Sequence, residues 1–350
     1  MSLTRIAIVG VGLGGKIHLK SFEKCGTIEI CALIAPSRGA NKDFAASKNL
    51  NFYSSLQDCL KNENPDGVII ASPNEYHFHQ AEICILAGLP VLLEKPITST
   101  LESGRKLMDL VKRSGSKVLV GHHRAHNPII HKAKEIISSG VLGNLVSFSG
   151  SAQFYKPDDY FEIGPWRKKI GGGPALINLI HEIDIMRRLF GEIDAVQAIF
   201  SSNIRSFEVE DTAVINIRFV NGALGSMTLS DAASTAKSWE LTSGENPNYI
   251  QYSGEDCYHI SGTRGSLGVP TMRLKYFQEG VQSSWWNPLS QDTIEVLKKD
   301  PIDEQRDHFL NVIKGIETPL VTIEDGYKNL LVLEAIKEST QIGTLVKLNR

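Results

Sequence analysis

The sequence predicts two domains of different texture: an α/β domain with a parallel sheet over residues 1–122, then an α+β domain with a mostly antiparallel sheet over 123–350. Three observations carry this. The first 120 or so residues alternate short apolar runs with helical patterns, the order of βαβ units. Beyond about residue 122 the strand-like runs lengthen, and Asn221-Gly222 between two of them is a type I′ hairpin signal, which means antiparallel pairing. A length of 350 residues fits roughly two domains.

The elements follow in order. Arg5–Val9 is a β-rich run that ends on glycines, and Gly14–Lys24 reads as a helix. Glu29–Ala35 is a second strand with a helical stretch near Asn41–Lys48 behind it. Gly67–Ala71 leads into a helix over Glu75–Ala87, Leu89–Leu93 into an amphipathic helix over Leu101–Ser114, and Lys117–Val120 closes the series. Strands as continuously apolar as Gly67-Val68-Ile69-Ile70-Ala71 suit a sheet covered on both faces. In the second half Pro128–Ser139 and Ala175–Leu189 are helical, while Leu145–Phe154, Ala195–Ser202, Ala213–Val220 and Ala223–Leu229 are longer strands. Ser283–Pro288, with two tryptophans, reads as a packed loop. Helical patterns return at Pro301–Gly315 and Glu324–Thr340, the last free to pack back on the first domain.

Composition excludes several classes. Hydrophobic residues at 42% and charged residues at 22% are those of a folded chain. A net charge of −2 argues against nucleic acid as a partner, which needs a clearly basic face. No apolar run reaches the length of a membrane span, and the start lacks the features of a secretory signal. Cys25, Cys31, Cys59, Cys84 and Cys257 are odd in number and scattered, so neither a disulfide framework nor a zinc knuckle follows. A cytoplasmic chain is expected.

Gly10-Val11-Gly12-Leu13-Gly14-Gly15 places Gly-x-Gly-x-x-Gly directly between the first strand and the first helix. In that context Gly10 permits the tight turn, Gly12 lets backbone approach a pyrophosphate, and Gly15 lets helix and strand pack closely. The helix start at Leu13 offers N–H donors to the phosphates. An NAD site normally carries an acid about 20 residues on, but Ala35-Pro36-Ser37-Arg38 stands there. A hydroxyl at Ser37 and a guanidinium at Arg38 suit a 2′-phosphate, so the cofactor is NADP or NAD with NADP slightly favoured.

Three further segments bear chemistry: Ser72-Pro73-Asn74 with His77, Glu94-Lys95-Pro96, and Gly171-Gly172-Gly173 running on to His181 and Asp184. The first two follow strands, at the carboxyl edge where open α/β sheets bind ligands. A lysine there, beside a nicotinamide, can exchange a proton with a substrate hydroxyl, and His181 can do so near neutral pH. A surface Lys95 and a structural His181–Asp184 pair are the plainer readings. His122-His123-Arg124-Ala125-His126 at the crossover lacks metal-ligand spacing, so no metal is expected, and Arg124 is a candidate substrate or cofactor contact.

In their order along the chain these segments, with Glu210-Asp211-Thr212-Ala213, resemble the Gfo/Idh/MocA family (glucose–fructose oxidoreductase, inositol dehydrogenase and relatives). The resemblance implies a Rossmann domain followed by an α/β domain with an open sheet. It implies hydride transfer between NAD(P) and a hydroxyl-bearing carbon of a sugar, polyol or related small molecule, and a homodimer or homotetramer. Lys95 and His181 would be the catalytic residues, with Ser72, Asn74, His77, Glu94 and Lys95 about the cofactor, and Trp166 and Arg167 in a segment that approaches it. The peptide before Pro96 is often cis in such proteins. An aspartate usual four residues before the histidine is Ile177 here, leaving Asn178 and Asp184 as the polar neighbours. Two other readings stay open at this point: a cofactor-binding sensor without turnover, and a glycosidase working by transient oxidation.

Overall fold

The computed structural model describes residues 3–36 and 39–348. The chain divides into two compact units, one made of the chain up to His126 with Pro301–Leu330, the other of Asn127–Asp300 with the chain from Leu331 on. The long helix Ile323–Ile342 contributes to both.

In the first unit six parallel strands form one sheet: β1 (Thr4–Val9), β2 (Ile28–Ile34), β3 (Asn51–Tyr53), β4 (Gly67–Ile70), β5 (Val91–Leu93) and β6 (Val118–Val120). Their order, β3-β2-β1-β4-β5-β6, is that of the doubly wound dinucleotide fold. Helices α1 (Leu13–Glu23), α2 (Gly39–Ser47), α3 (Leu56–Glu63), α4 (His77–Leu86) and α5 (Leu101–Ser114) connect them. β4, β5 and β6 are buried along their whole length, which is why, after Gly67, their sequences are unbroken Val, Ile and Leu. Local chemistry sets the helix ends. Thr100 Oγ1 accepts the Ser103 N–H at the start of α5, and Gly115 closes it at φ +65°. The Asn51–Tyr53 strand escapes sequence reading because it is three residues long and half-exposed.

The second unit holds a nine-stranded sheet: β7 (Leu145–Gln153), β8 (Ile193–Ser201), β9 (Thr212–Phe219), β10 (Leu224–Ser230), β11 (Tyr258–Gly262), β12 (Gly265–Val269), β13 (Arg273–Tyr276), β14 (Ser290–Thr293) and β15 (Val346–Lys347). All pairings are antiparallel except β7 with β10. The helices α6 (Pro128–Ser138), α7 (Asp158–Ile163), α8 (Ile180–Phe190) and α9 (Trp239–Thr242) belong to this unit. α6 starts on Asn127, whose Oδ1 accepts the Ile129 N–H, with Pro128 preset in its first turn. On β9, Ala213, Ile215, Ile217 and Phe219 are buried in the core while Val214 and Asn216 face out.

Three local expectations are corrected. The β9–β10 hairpin forms, but Gly222 alone is left-handed, at φ +89°, and its N–H closes on Phe219 O. That is a turn with one left-handed residue rather than the two of type I′. The Ala175–Leu189 helix begins as a π-helical turn over Ala175–Leu179 before α8. Ser283–Pro288 is not packed: Trp285 is 89% and Trp286 82% exposed. No described helix is long and apolar enough to cross a membrane.

Candidate active site

β1 delivers the chain onto the glycine loop, and each glycine answers to a distance. A Cβ on Gly10, which sits at φ +96°, would lie 2.5 Å from Ala71 O, and one on Gly15 would lie 1.9 Å from Gly10 O. A Cβ on Gly12 would meet nothing within 4 Å, because that side of the loop is open. Gly12 also caps α1 without a side-chain bond, so no side chain shields the first N–H groups at Leu13 and after. The loop borders a cavity of about 860 Å³ lined by Gly10, Gly12, Pro36, Ser55, Ser72 and Tyr76 among others. Open backbone donors at a helix start, a glycine with room above it and a cavity of this size suit a dinucleotide pyrophosphate. Ser37 and Arg38 lie outside the described residues.

Ser72 and Asn74 follow β4, where Ser72 Oγ donates to Gln80 Oε1 at 2.6 Å and Asn74 opens a 3₁₀ turn. His77 is 1% exposed and is absent from the cavity lining. Its ring lies 2.8 Å from Ser72 O and 2.9 Å from Pro96 O, tying the turn after β4 to the turn after β5. Burial lowers its pKa, so the neutral ring donates to one carbonyl at a time.

Glu94 and Lys95 follow β5, and the Lys95–Pro96 peptide is cis. Glu94 Oε1 lies 2.7 Å from His18 Nε2, and its Oε2 accepts the Lys95 N–H at 3.2 Å. Burial pushes the Glu94 carboxyl up, but the His18 hydrogen bond and the charges of His18, Lys95 and His123 outweigh it and bring it down to about 2. Glu94 is therefore a fixed anion that braces the backbone of Lys95. Sequence reading missed His18; its only signal is a polar residue on the buried side of α1. At the crossover Arg124 is buried, and His122 Nε2 accepts from Asn329 Nδ2 at 3.1 Å.

In the second unit two motifs form one joint. Gly173, at φ +79°, makes room for Glu210, whose Oε1 accepts the Ala175 N–H at 2.8 Å where the π-helical turn begins. Asp211 takes the Ile204 and Arg205 N–H groups, each at 2.9 Å. The helix so anchored carries Asn178, His181 and Asp184, all buried. Asp184 Oδ2 pairs with Arg188 Nε at 3.5 Å, one turn on. Trp166 is 55% exposed, so it is no core residue, and the Arg167 guanidinium stacks 3.8 Å over the Tyr160 ring.

Lys156 was not foreseen. It follows β7, is 5% exposed, and sets its Nζ 2.7 Å from Asn178 Oδ1 and 3.9 Å from Asp231 Oδ2, with the Phe154 and Tyr160 rings about it. Burial pulls its ammonium down to about 8, against the attraction of Asp231 and Glu240. Asn178 in turn donates to Glu240 Oε1 at 3.3 Å. With Ile177 in place of an acid, Asn178 is the polar group on that turn, and Lys156 holds it.

Comparison with known proteins gives the same assignment for both units. Residues 4–122 match the model of an oxidoreductase family with an NAD-binding Rossmann fold, and residues 134–348 match that family's C-terminal alpha/beta domain. Levoglucosan dehydrogenase of Pseudarthrobacter phenanthrenivorans is 29% identical over 97% of this chain and 96% of its own. The rhizopine catabolism protein MocA of Rhizobium meliloti is 30% identical over 55% of this chain; the match spans 59% of that protein. The crystal structure of the WlbA dehydrogenase from Bordetella pertussis, in complex with NADH and UDP-GlcNAcA, has the same fold, with a TM-score of 0.78, 24% identity and 99% of each chain covered. The chain is a member of the Gfo/Idh/MocA oxidoreductase family, a Rossmann NAD-binding domain joined to that family's C-terminal alpha/beta domain.

Proposed function

We propose that this oxidoreductase moves hydride between NAD(P) and a hydroxyl-bearing carbon of a sugar, polyol or related small molecule, with Lys95 and His181 as its catalytic residues. The observation that carries the reading is the open face of Gly12 at an uncapped helix start, on the same carboxyl edge of the sheet as the strand end where Glu94 braces Lys95. Bound there, the nicotinamide supplies the hydride acceptor or donor. In the oxidation direction the hydroxyl proton leaves to Lys95 or His181. The Lys95 ammonium also stabilises the developing alkoxide, and Glu94, ionised at neutral pH, keeps a fixed negative charge next to it. In the second unit Lys156 keeps Asn178 in place three residues before His181.

Arg38 and Ser37 favour NADP over NAD, and the neutral Asn41, Ser54, Ser55 and Gln57 that line the same cavity are compatible with an added phosphate. Equal affinities for NADPH and NADH in a fluorescence titration would remove that preference. The outward face of the nine-stranded sheet carries Val146, Ile199, Val214 and Leu224 exposed, which supports a homodimer or homotetramer. Five free cysteines fit the reducing cytoplasm.

The test is reduction of NADP or NAD by the purified protein with a panel of sugars and polyols. Lys95→Ala is expected to lower turnover by roughly 10²–10⁴-fold, the worth of a positioned proton-transfer group. A variant within a few-fold of wild type removes Lys95 from the mechanism. Tight cofactor binding with no net reduction of any panel member would favour the sensor or glycosidase reading.

A further inference from the structure

The second unit holds a cavity of about 590 Å³ that none of the proposed catalytic residues lines. Its walls are Tyr155, Tyr249 and Tyr252 with Ser234, Thr235 and Asn248, completed by Ala236, Leu241 and Ile250. The volume lies in the range of small-molecule sites, about 300–1,000 Å³. The three tyrosines are 52%, 45% and 47% exposed. No lining residue is charged. The Arg205 guanidinium, 4.9 Å over the Tyr155 ring, is already paired with Asp231 at 2.8 Å.

The loop that carries Asn248, Tyr249 and Tyr252 is anchored. Glu245 Oε2 accepts from Trp239 Nε1 at 2.8 Å and from Asn127 Nδ2 at 3.0 Å. Gln251 Oε1 takes the Gly244 N–H at 2.8 Å, and its Nε2 reaches Tyr249 O at 3.1 Å. The walls are therefore formed before any ligand arrives, which spares the ordering cost of binding. The cavity also adjoins the polar cluster at Asn178. Tyr155 is the residue before Lys156, whose Nζ lies 5.1 Å from the Tyr160 ring, and Leu241 of the wall follows Glu240, which accepts from Asn178.

A flat aromatic face matches the C–H face of a saturated ring, and hydroxyl and amide groups in both donor and acceptor roles match ring hydroxyls. We propose that this cavity binds a neutral pyranose ring, a glycosyl unit of the substrate other than the one oxidised. This rests on the sugar reading above and extends it: the substrate is a glycoside rather than a free monosaccharide or inositol.

The test is saturation-transfer NMR with methyl β-glucopyranoside, methyl β-galactopyranoside and methyl α-mannopyranoside as probes, on the full chain. Transfer to the ring C–H protons of at least one probe is expected. It should fall at least fivefold in the Tyr249→Ala/Tyr252→Ala double variant and persist in Tyr249→Phe, which keeps the ring. It should also persist in Lys95→Ala and His181→Ala, so that binding is separated from the proposed catalytic groups. Unchanged NADH affinity serves as the folding control. No transfer to any probe, or equal transfer in the double variant, overturns the proposal. Transfer that depends on the tyrosines, in a protein that reduces no cofactor with any sugar or polyol, leaves the cavity standing while the oxidoreductase mechanism falls; the reverse result separates them the other way.

Discussion

Alanine at Gly12 and alanine at Gly15 should have opposite consequences, although the two glycines are three residues apart. At Gly15 the new methyl would lie 1.9 Å from Gly10 O and 2.9 Å from Gly10 C, both backbone atoms that no rotamer change can move. The start of α1 and the end of β1 must then part by about 1 Å, an overpacking that costs roughly 3 kcal/mol. For a domain of this size that is a fall in Tm of about 6–12 °C. At Gly12 the methyl meets nothing within 4 Å, and the backbone at φ −72° and ψ −166° is extended, open to any residue. Gly12→Ala should therefore melt within about 2 °C of wild type. It should nevertheless bind NADH at least about tenfold more weakly, or about 1.4 kcal/mol, because the methyl occupies the approach to the phosphates. Calorimetry of the apoproteins and fluorescence titration with NADH measure the two effects. A Gly12→Ala protein as unstable as Gly15→Ala, or one that binds NADH as wild type does, would refute the reasoning.

Other expectations follow from the charged groups and the open sheet. The Glu94 carboxyl is held down to about 2 from 4.5, so its contribution to stability is present above about pH 4.5 and lost as pH falls through 2. Urea melts across that window should show the acid loss in wild type and a shallower one in Glu94→Gln. Lys156 is pulled down from 10.5 to about 8, so between these values the unfolded chain binds the extra proton and this residue makes stability rise with pH. Lys156→Met should lack that rise when melts at pH 7 and pH 10 are compared. Val214→Glu, on the outward face of β9 beside Ile199 of β8, should shift light scattering toward monomer without loss of fold; an unchanged mass would exclude that face as the contact between copies.

The glycine loop and the parallel strands were legible because their determinants are local. Gly10 and Gly15 each answer to a backbone contact within one strand–turn–helix or with the strand beside it, and β4 shows its burial on both faces in four successive residues. The antiparallel character of the second sheet was legible from Asn221-Gly222 between two strand-like runs, which pair as an antiparallel hairpin. Short strands such as Gly265–Val269, with two glycines in five residues, carry too little pattern, and only pairing with Tyr258–Gly262 and Arg273–Tyr276 makes them strands.

What the sequence alone determined is therefore the fold class of each half and the cofactor class, and it named the candidate residues for the chemistry. The tertiary structure decided how those residues are held. His18 meets Glu94 across 76 positions of chain, and Lys156 meets Asn178 across 22. Neither partner can be read from the other's neighbourhood, since the His18 hydrogen bond that holds Glu94 down and the burial that pulls Lys156 down come from segments distant in sequence and close only after folding. The same holds for the tyrosine-walled cavity, whose lining comes from residue 155 and from the stretches 234–241 and 248–252. No periodicity links those stretches; only the packed chain brings their rings to one space.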